Sequence, residues 1–131
     1  MKMNTALIVF VLIAVAFGLF YLSKNSGSAS DMEMETLKNM MKENPGVVID
    51  VRTPDEFASG HLRKADHNFN VMSGELEQKL DSLDKNKTYY LYCRSGNRSG
   101  KAAQIMKQNG FEDVHNIGGF RDLVKAGFES E

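Results

Sequence analysis

The residues with the clearest chemical potential in this chain surround its single cysteine, Cys93. An apolar and aromatic run over residues 88–92 precedes the cysteine and predicts a strand. The residues that follow are small, polar or cationic: Arg94, Ser95, Gly96, Asn97, Arg98 and Ser99. A helical pattern then begins at residue 99 and continues to 108. Cys93 is therefore predicted to lie in a loop between the end of a strand and the start of a helix.

A loop of this composition is suited to stabilising an anion. Gly96 permits backbone conformations that other residues avoid, so the loop N–H groups can turn inward. The helix that follows directs its free N–H groups and the positive end of its dipole into the same space. The two arginines and two serines add positive charge and hydroxyl donors. Because such surroundings also lower the pKa of a cysteine, we predict an ionised Cys93 that attacks an anionic substrate, rather than an inert buried cysteine.

Helical and strand patterns alternate along the rest of the chain. Strands are predicted over Val47–Asp50, 67–71, 88–92 and 113–117. Helices are predicted over 31–43, 54–59, 99–108, after Gly119, and in a segment capped by Ser73 that buries Leu76, Leu80 and Leu83. This alternation predicts an α/β fold with a mostly parallel sheet of four to five strands and helices on both faces. Ligands of such sheets bind beyond the carboxyl ends of the strands, where Cys93 lies.

Composition excludes several classes of function. A length of 131 residues suits one domain, and a formal charge of −1 offers no basic excess for binding nucleic acid. One cysteine excludes an internal disulfide, and the three histidines lack the spacing of metal ligands. We therefore predict neither a metal site nor a cofactor.

The N-terminal segment predicts a membrane association. Residues 6–22 form an uncharged run of 17 residues, the lower limit of what spans a bilayer and longer than a typical signal-peptide core. We interpret residues 1–24 as a transmembrane anchor or signal segment, 25–30 as a flexible linker and 31–131 as the folded domain. Lys2 and the terminal amine precede the run and Lys24 follows it, a slight difference that favours a single-pass anchor with the domain on the extracytoplasmic, periplasmic side. Secretion after signal cleavage is the alternative.

Three motifs in order resemble the single-domain rhodaneses. The stretch "VVIDVRTPDEFASGHLRKA" contains Asp50-Val51-Arg52, Glu56-Phe57 and Gly60-His61, at the positions where that family has the same residues. The stretch "YYLYCRSGNRSGKAA" matches the family's cysteine loop, and "NIGGF" matches the glycine pair before its last helix. The resemblance covers roughly residues 32–128, and the expected fold is rhodanese-like, preceded by one apolar N-terminal helix.

The resemblance implies a sulfurtransferase. Cys93 would be the nucleophile and persulfide carrier, and the N–H groups of residues 94–99 would hold the transferred sulfur. Arg98, together with Arg94, would bind the sulfonate end of a donor such as thiosulfate, and the acceptor would be cyanide, a small thiol or a protein thiol. Four further residues, Asp50, Arg52, Glu56 and His61, are expected to support the structure of the site.

Two other functions stay open at this point. One is a non-catalytic persulfide carrier or sensing module, because the loop sequence does not distinguish rapid turnover from slow carriage. The other is a cysteine-dependent phosphatase or arsenate reductase. Related phosphatases use a Cys-x5-Arg loop, whereas the spacing from Cys93 to Arg98 is Cys-x4-Arg, and a tighter ring suits a single sulfur atom better than a tetrahedral oxyanion.

One departure from the family lies after His61. The usual Pro-Gly-Ala is replaced by Arg63-Lys64-Ala65, which is expected to add positive charge near the site and to alter the choice of acceptor.

Overall fold

The described part of the chain alternates between strands and helices, as the sequence predicts. The structure is a computed structural model that describes residues 33–131, together with residues 12 and 13. Its strands are β1 (Val47–Asp50), β2 (His67–Asn68), β3 (Tyr89–Cys93) and β4 (Val114–Gly119). Its helices are α1 (Met34–Glu43), α2 (Pro54–Ala58), α3 (Glu75–Lys79), α4 (Asn97–Gln108) and α5 (Phe120–Lys125), and a 3-10 turn, Leu80–Ser82, follows α3.

The four strands form one sheet in the order β2-β1-β3-β4, and every neighbouring pair is parallel. The prediction of a parallel α/β sheet is therefore confirmed, with four strands. Parallel pairing follows from the helical segments that connect consecutive strands, because each crossover returns the chain to the same end of the sheet. All carboxyl ends of the strands thus meet at one edge, and Cys93 is the last residue of the central strand β3.

Helices cover both faces of the sheet and divide the core in two. On one face, α3, the 3-10 turn after it and α4 bury Leu76, Leu80, Ala102 and Met106 against the sheet. On the other face, Leu37 and Met41 of α1 and Leu123 of α5 pack on the sheet. The side chains of β3 alternate between these clusters, which explains why all five of its residues are buried.

Three tyrosines occupy core positions of β3 without leaving their hydroxyl groups unpaired. Tyr89 donates to the carbonyl of Asp84 at 2.6 Å, and Tyr90 donates to the carbonyl of Asn44 at 2.7 Å. Tyr92 accepts a hydrogen bond from the backbone N–H of Leu62 at 3.0 Å. The hydroxyls therefore tie the central strand to three loops while the rings fill the core.

Several predicted boundaries need correction. The strand predicted over 67–71 is only His67–Asn68. The backbone N–H of Val71 still bonds to the carbonyl of Val51, but Val51 lies beyond the end of β1 and the chain turns after Val71. Gly74, not Ser73, is the N-cap of α3, and Ser73 Oγ donates to the carbonyl of Asn70 and accepts a long 3.4 Å bond from Glu75 N. Helix α4 begins at Asn97, two residues earlier than predicted, since Gly96 adopts the left-handed conformation needed to start it there.

The predicted anchor and linker lie almost entirely outside the described residues. Leu12 and Ile13 are helical and exposed, and residues 6–11 and 14–30 are not described. In the part of the chain that the structure does describe, no helix has the length and apolar character to cross a membrane. The anchor, the linker and the side of the membrane stay predictions from the sequence.

Candidate active site

The site is built around the sulfur of Cys93, which is fully buried at the carboxyl edge of the sheet. Only Arg94, Ser95 and Gly96 separate β3 from α4, so the chain must turn sharply. Gly96 makes this turn possible with a φ of 97°, a region that residues with a side chain rarely adopt. The result is a tight loop that wraps the first N–H groups of α4 around the sulfur.

Hydrogen-bond donors converge on this sulfur. The backbone N–H of Gly96 lies 3.0 Å from Cys93 Sγ, and the hydroxyl of Ser99 lies 3.3 Å from it. Burial by itself raises the pKa of the Cys93 thiol. Hydrogen bonds from the Ser99 side chain and from the amides of Ser99, Ser95 and Gly96 outweigh burial and lower that pKa below its ordinary value. The surroundings of Cys93 therefore favour a thiolate.

The loop residues divide by exposure. Gly96 and Ser99 are buried beside the sulfur, whereas the side chains of Arg94, Ser95 and Asn97 face outward. Ser95 thus contributes its backbone N–H rather than its hydroxyl to the sulfur. The amides of Ser95, Gly96 and Ser99 therefore point toward the sulfur.

Arg98 is held by a carboxylate from another element. Its two terminal nitrogens lie 2.6 and 2.9 Å from the two carboxylate oxygens of Glu56, a fork-to-fork ion pair. Glu56 also completes a capping box with Thr53 at the start of α2, which fixes the carboxylate in place. The hydrogen bond with Arg98 is the main cause that lowers the pKa of Glu56 to about 2. The pair joins α2 to α4 beside the loop.

A second ion pair closes the end of β1. The carboxylate of Asp50 is fully buried and lies 2.7 Å from Nη2 of Arg52, which is itself buried. The same Nη2 donates to the carbonyl of Gly60 at 2.7 Å, and the guanidinium lies over the Phe120 ring, 4.7 Å from its centroid. Asp50 and Arg52 therefore hold the segments around the loop together.

His61 contacts both its own segment and the C-terminus. Its Nδ1 lies 2.9 Å from the carbonyl of Phe57, and its ring stacks on the Phe57 ring with 3.7 Å between centroids. The backbone of His61 also exchanges two hydrogen bonds with that of Glu131, near the C-terminus. These contacts connect α2, the segment after it and the C-terminus.

A cavity of about 330 Å³ opens beside the loop. Its lining consists of Arg52, Glu56, Ser59, Gly60, Arg94, Phe120 and Arg121. Within residues 33–131, Arg94 and Arg121 form no ion pair, whereas Arg52 is engaged by Asp50. We call this cavity, which lies beside the cysteine loop but is not lined by Cys93 itself, the mouth of the site, and it carries two cations available to an anion.

Sequence reasoning missed three residues of the site. Arg121 is the second residue of α5, and only the position of that helix brings it to the mouth. Asn116 of β4 lies against Ser99 and Gly96, although it looked like an ordinary strand residue. Gly119 was noted only as part of a glycine pair, yet an added Cβ there would lie 2.5 Å from the carbonyl oxygen of Arg94. A polar residue within a buried strand was the one available signal for Asn116.

The expectation for Arg63 and Lys64 was wrong about their position. Both line a separate cavity, together with Lys38 and Lys42 of α1, and neither lines the mouth beside Cys93. The reason is that Arg63 lies on the edge segment that pairs with the C-terminal residues, where it bonds to Glu129 at 2.9 Å. The added charge therefore lies outside the mouth of the site.

Comparison with known proteins identifies the family. The model of the rhodanese-like domain matches residues 33–126, which is well over half of the chain. The chain therefore belongs to the rhodanese-like domain family, and the resemblance seen in the three motifs is confirmed.

Two curated relatives show how far the similarity extends. The chain is 40% identical over 75 residues to the uncharacterized protein YqhL of Bacillus subtilis, an alignment that covers 56% of this chain and 57% of YqhL. It is 34% identical over 78 residues to the thiosulfate sulfurtransferase PspE of Escherichia coli, covering 58% of this chain and 72% of PspE. This chain thus spans little more than half the length of the first relative.

Solved structures agree with the fold. A rhodanese with anions from E. coli superposes with a TM-score of 0.57 at 30% identity, covering 65% of this chain and 95% of that one. SSP1007 from Staphylococcus saprophyticus superposes with a TM-score of 0.60 at 32% identity, covering 73% and 94%. In both comparisons the alignment covers almost the whole of the solved chain.

Proposed function

We propose that this protein is a sulfurtransferase that moves a sulfane sulfur from thiosulfate or a persulfide donor to a thiol or cyanide through a persulfide on Cys93. The observation that supports this most directly is the ring of donors around Cys93 Sγ, which favours a thiolate and offers N–H groups to a second sulfur atom. The family and the similarity to the thiosulfate sulfurtransferase PspE point in the same direction.

The proposed first half-reaction forms one sulfur–sulfur bond and breaks another. The Cys93 thiolate attacks the outer sulfur of thiosulfate, a Cys93 persulfide anion forms, and sulfite leaves with the electron pair of the broken bond. In the second half-reaction, cyanide attacks the outer sulfur of the persulfide, thiocyanate leaves and the thiolate returns. The charge is conserved in each step, so the transfer needs no oxidant and no cofactor.

The sulfonate end of the donor is assigned to the arginines at the mouth. Arg98 was predicted to bind it together with Arg94, but the geometry favours Arg94 and Arg121, since the guanidinium of Arg98 is occupied by Glu56. In this proposal Arg98 acts through its ion pair, which anchors the first turn of α4 and so the N–H groups that face Cys93.

The size of the loop favours sulfur over phosphate. Only three residues separate β3 from α4, and two donors already lie 3.0 and 3.3 Å from Cys93 Sγ. Such a ring matches one additional sulfur atom better than the oxygens of a phosphate. The geometry of this site therefore favours a sulfurtransferase over a phosphatase or arsenate reductase.

The carrier function is a second candidate, and the burial of Cys93 favours it. A fully buried thiol reacts slowly with small molecules unless the loop side chains move aside, so transfer could depend on one protein partner. Comparing the rate of sulfur transfer to small thiols with the rate to a candidate protein thiol separates the two functions. Rapid turnover with small thiols supports the enzyme.

The proposal is tested by mass spectrometry of the purified full-length chain before and after thiosulfate, beside Cys93→Ser. We expect the wild-type chain to gain the mass of one sulfur atom, to lose it on addition of cyanide, and the variant to gain nothing. A wild-type chain that alkylates readily at Cys93 but gains no sulfur from thiosulfate or from a persulfide donor would overturn the proposed function.

A further inference from the structure

Asn116 lies at the back of the cysteine loop and makes three hydrogen bonds there, two to the loop and the start of α4 and one within β4. Its Nδ2 donates to the carbonyl of Gly96 at 2.9 Å, and its Oδ1 accepts from the backbone N–H of Gly118 at 3.1 Å. The same Oδ1 lies 2.7 Å from the hydroxyl oxygen of Ser99. Its position results from the irregular pairing of β3 with β4, in which the residue between Asn116 and Gly118 has no partner on β3.

The orientation of this amide is determined by its backbone neighbours. The Gly118 N–H is only a donor, so it requires an oxygen opposite it, and the Gly96 carbonyl is only an acceptor, so it requires the NH₂ group. A flipped amide would place two donors together at Gly118 and two acceptors together at Gly96. Oδ1 therefore faces Ser99 as an obligate acceptor.

Ser99 has a single hydroxyl proton and two acceptors within reach. Asn116 Oδ1 lies at 2.7 Å, a typical O–H···O distance, while Cys93 Sγ lies at 3.3 Å. Two oxygens at 2.7 Å without a proton between them would repel each other. While Cys93 is a thiol, the Ser99 proton belongs to Asn116, and the Ser99 oxygen is free to accept from the Cys93 S–H group.

We propose that Asn116 is a positioning residue whose Oδ1 accepts the Ser99 hydroxyl hydrogen bond while Cys93 is a neutral thiol. When the thiolate forms, the same hydroxyl donates its hydrogen bond to the sulfur instead. The Cys93 proton leaves to a base of the solvent, and the hydroxyl of Ser99 turns from Asn116 Oδ1 to Cys93 Sγ. Asn116 Oδ1 then keeps only the bond from Gly118, and its repulsion with the Ser99 oxygen opposes this turn of the hydroxyl. Asn116 thus competes with the thiolate for one proton, and this competition sets how strongly Ser99 favours ionisation.

Charged groups also act near this sulfur. Arg98 of α4 interacts electrostatically with Cys93, with Glu56 of α2 and with Asp50 of β1. Arg52 pairs with Asp50, and Arg94 follows Cys93 in the loop. Strand β4 contributes only uncharged groups here, namely Asn116, Gly118 and Gly119. Substitution of Asn116 therefore changes hydrogen bonding at the site without changing its charge.

A double-mutant cycle tests the competition. The variants are Ser99→Ala, Asn116→Ala and the double substitution, and the pKa of Cys93 is measured for each from the pH dependence of alkylation by iodoacetamide. Asn116→Ala loosens the loop and so raises the pKa of Cys93, whether residue 99 is serine or alanine. When residue 99 is serine, the substitution also frees the Ser99 hydroxyl to donate to the sulfur, and this second effect lowers the pKa. We expect the change in pKa caused by Asn116→Ala to be more positive by about 0.5–1 unit in the Ser99→Ala background.

The proposal would be overturned if Asn116→Ala changed the pKa of Cys93 equally with and without Ser99, or raised it less without Ser99. A purely structural Asn116 would affect both proteins alike. Near-ultraviolet circular dichroism establishes that each variant is folded, and Asn116→Leu, with its similar shape, replaces Asn116→Ala if that variant does not fold. Ser99→Ala alone supplies a separate check: competition limits its rise in pKa to less than about one unit, and a rise of two units contradicts it.

The inference rests on the proposed function only in taking Cys93 as the reacting group. Alkylation reports the thiolate directly, without any sulfur donor. Failure of the cycle with intact sulfur transfer would refute the role of Asn116 alone, whereas failure of sulfur transfer with the expected coupling would refute the proposed function alone.

Discussion

Substitution of Gly119 by alanine should separate the function of the site from the stability of the fold. Gly119 pairs with Cys93 across β3 and β4, and its backbone is extended, with a φ of −101° and a ψ of 145°, so alanine meets no backbone strain there. An added Cβ would nevertheless lie 2.5 Å from the carbonyl oxygen of Arg94. Since ordinary van der Waals contact begins at 3.4 Å, the loop or the strand must move by about 0.9 Å.

The expected consequence is a large loss of sulfur transfer. Both partners in the clash are backbone, so no side chain can rotate away, and the displaced segment is the one that presents N–H groups to Cys93. A misplacement of about 1 Å costs on the order of 100-fold in rate. We expect kcat/KM for thiocyanate formation from thiosulfate and cyanide to fall by about that factor.

Gly74→Ala is the matched control. Gly74 has a φ of 81°, so alanine there is strained by about 1–2 kcal/mol, but the added Cβ meets no atom of the described residues within 4 Å. We expect Gly74→Ala to lower Tm by several degrees and to leave kcat/KM unchanged. Wild-type kcat/KM in Gly119→Ala, or an equal loss in both variants, would refute the argument that loop position governs transfer.

Two further predictions concern contacts around the site. Because the pKa of Glu56 is lowered to about 2 from 4.5, its ion pair with Arg98 stabilises the fold above pH 4.5, and this contribution is lost as the pH falls through about 2. The pair is partly exposed, so Glu56→Gln should lower the free energy of unfolding in urea by about 1 kcal/mol at neutral pH and by clearly less near pH 2, and a deficit independent of pH would contradict the ion pair. Tyr92→Phe removes the acceptor of the buried Leu62 N–H and should cost about 1–3 kcal/mol in the same assay, with no change in the alkylation rate of Cys93. An unaltered stability would show that another acceptor replaces the hydroxyl.

The fold was predictable because its signals are local. Short apolar strands such as Val47–Asp50, separated by helical patterns, favour parallel pairing through crossover helices, and the structure confirms this. The predicted ends of strands and helices were wrong where contacts with another part of the chain decide where the element stops. The strand His67–Asn68 is shorter than its pattern because its partner β1 ends at Asp50 and the chain turns away beyond that point.

The sequence by itself determined the candidate reactive group, Cys93, and its immediate surroundings. Cys93 lies between a strand and a helix start, and Gly96 with the residues around it defines the loop, because a backbone anion site is made by consecutive residues. Tertiary structure alone decided which side chains from other elements complete the site. Glu56 meets Arg98 across 42 positions, and Asn116 reaches Ser99 only because β4 lies beside β3 with an irregular register. Such contacts depend on strand order and on the direction of each side chain in space, which no local pattern of residues specifies.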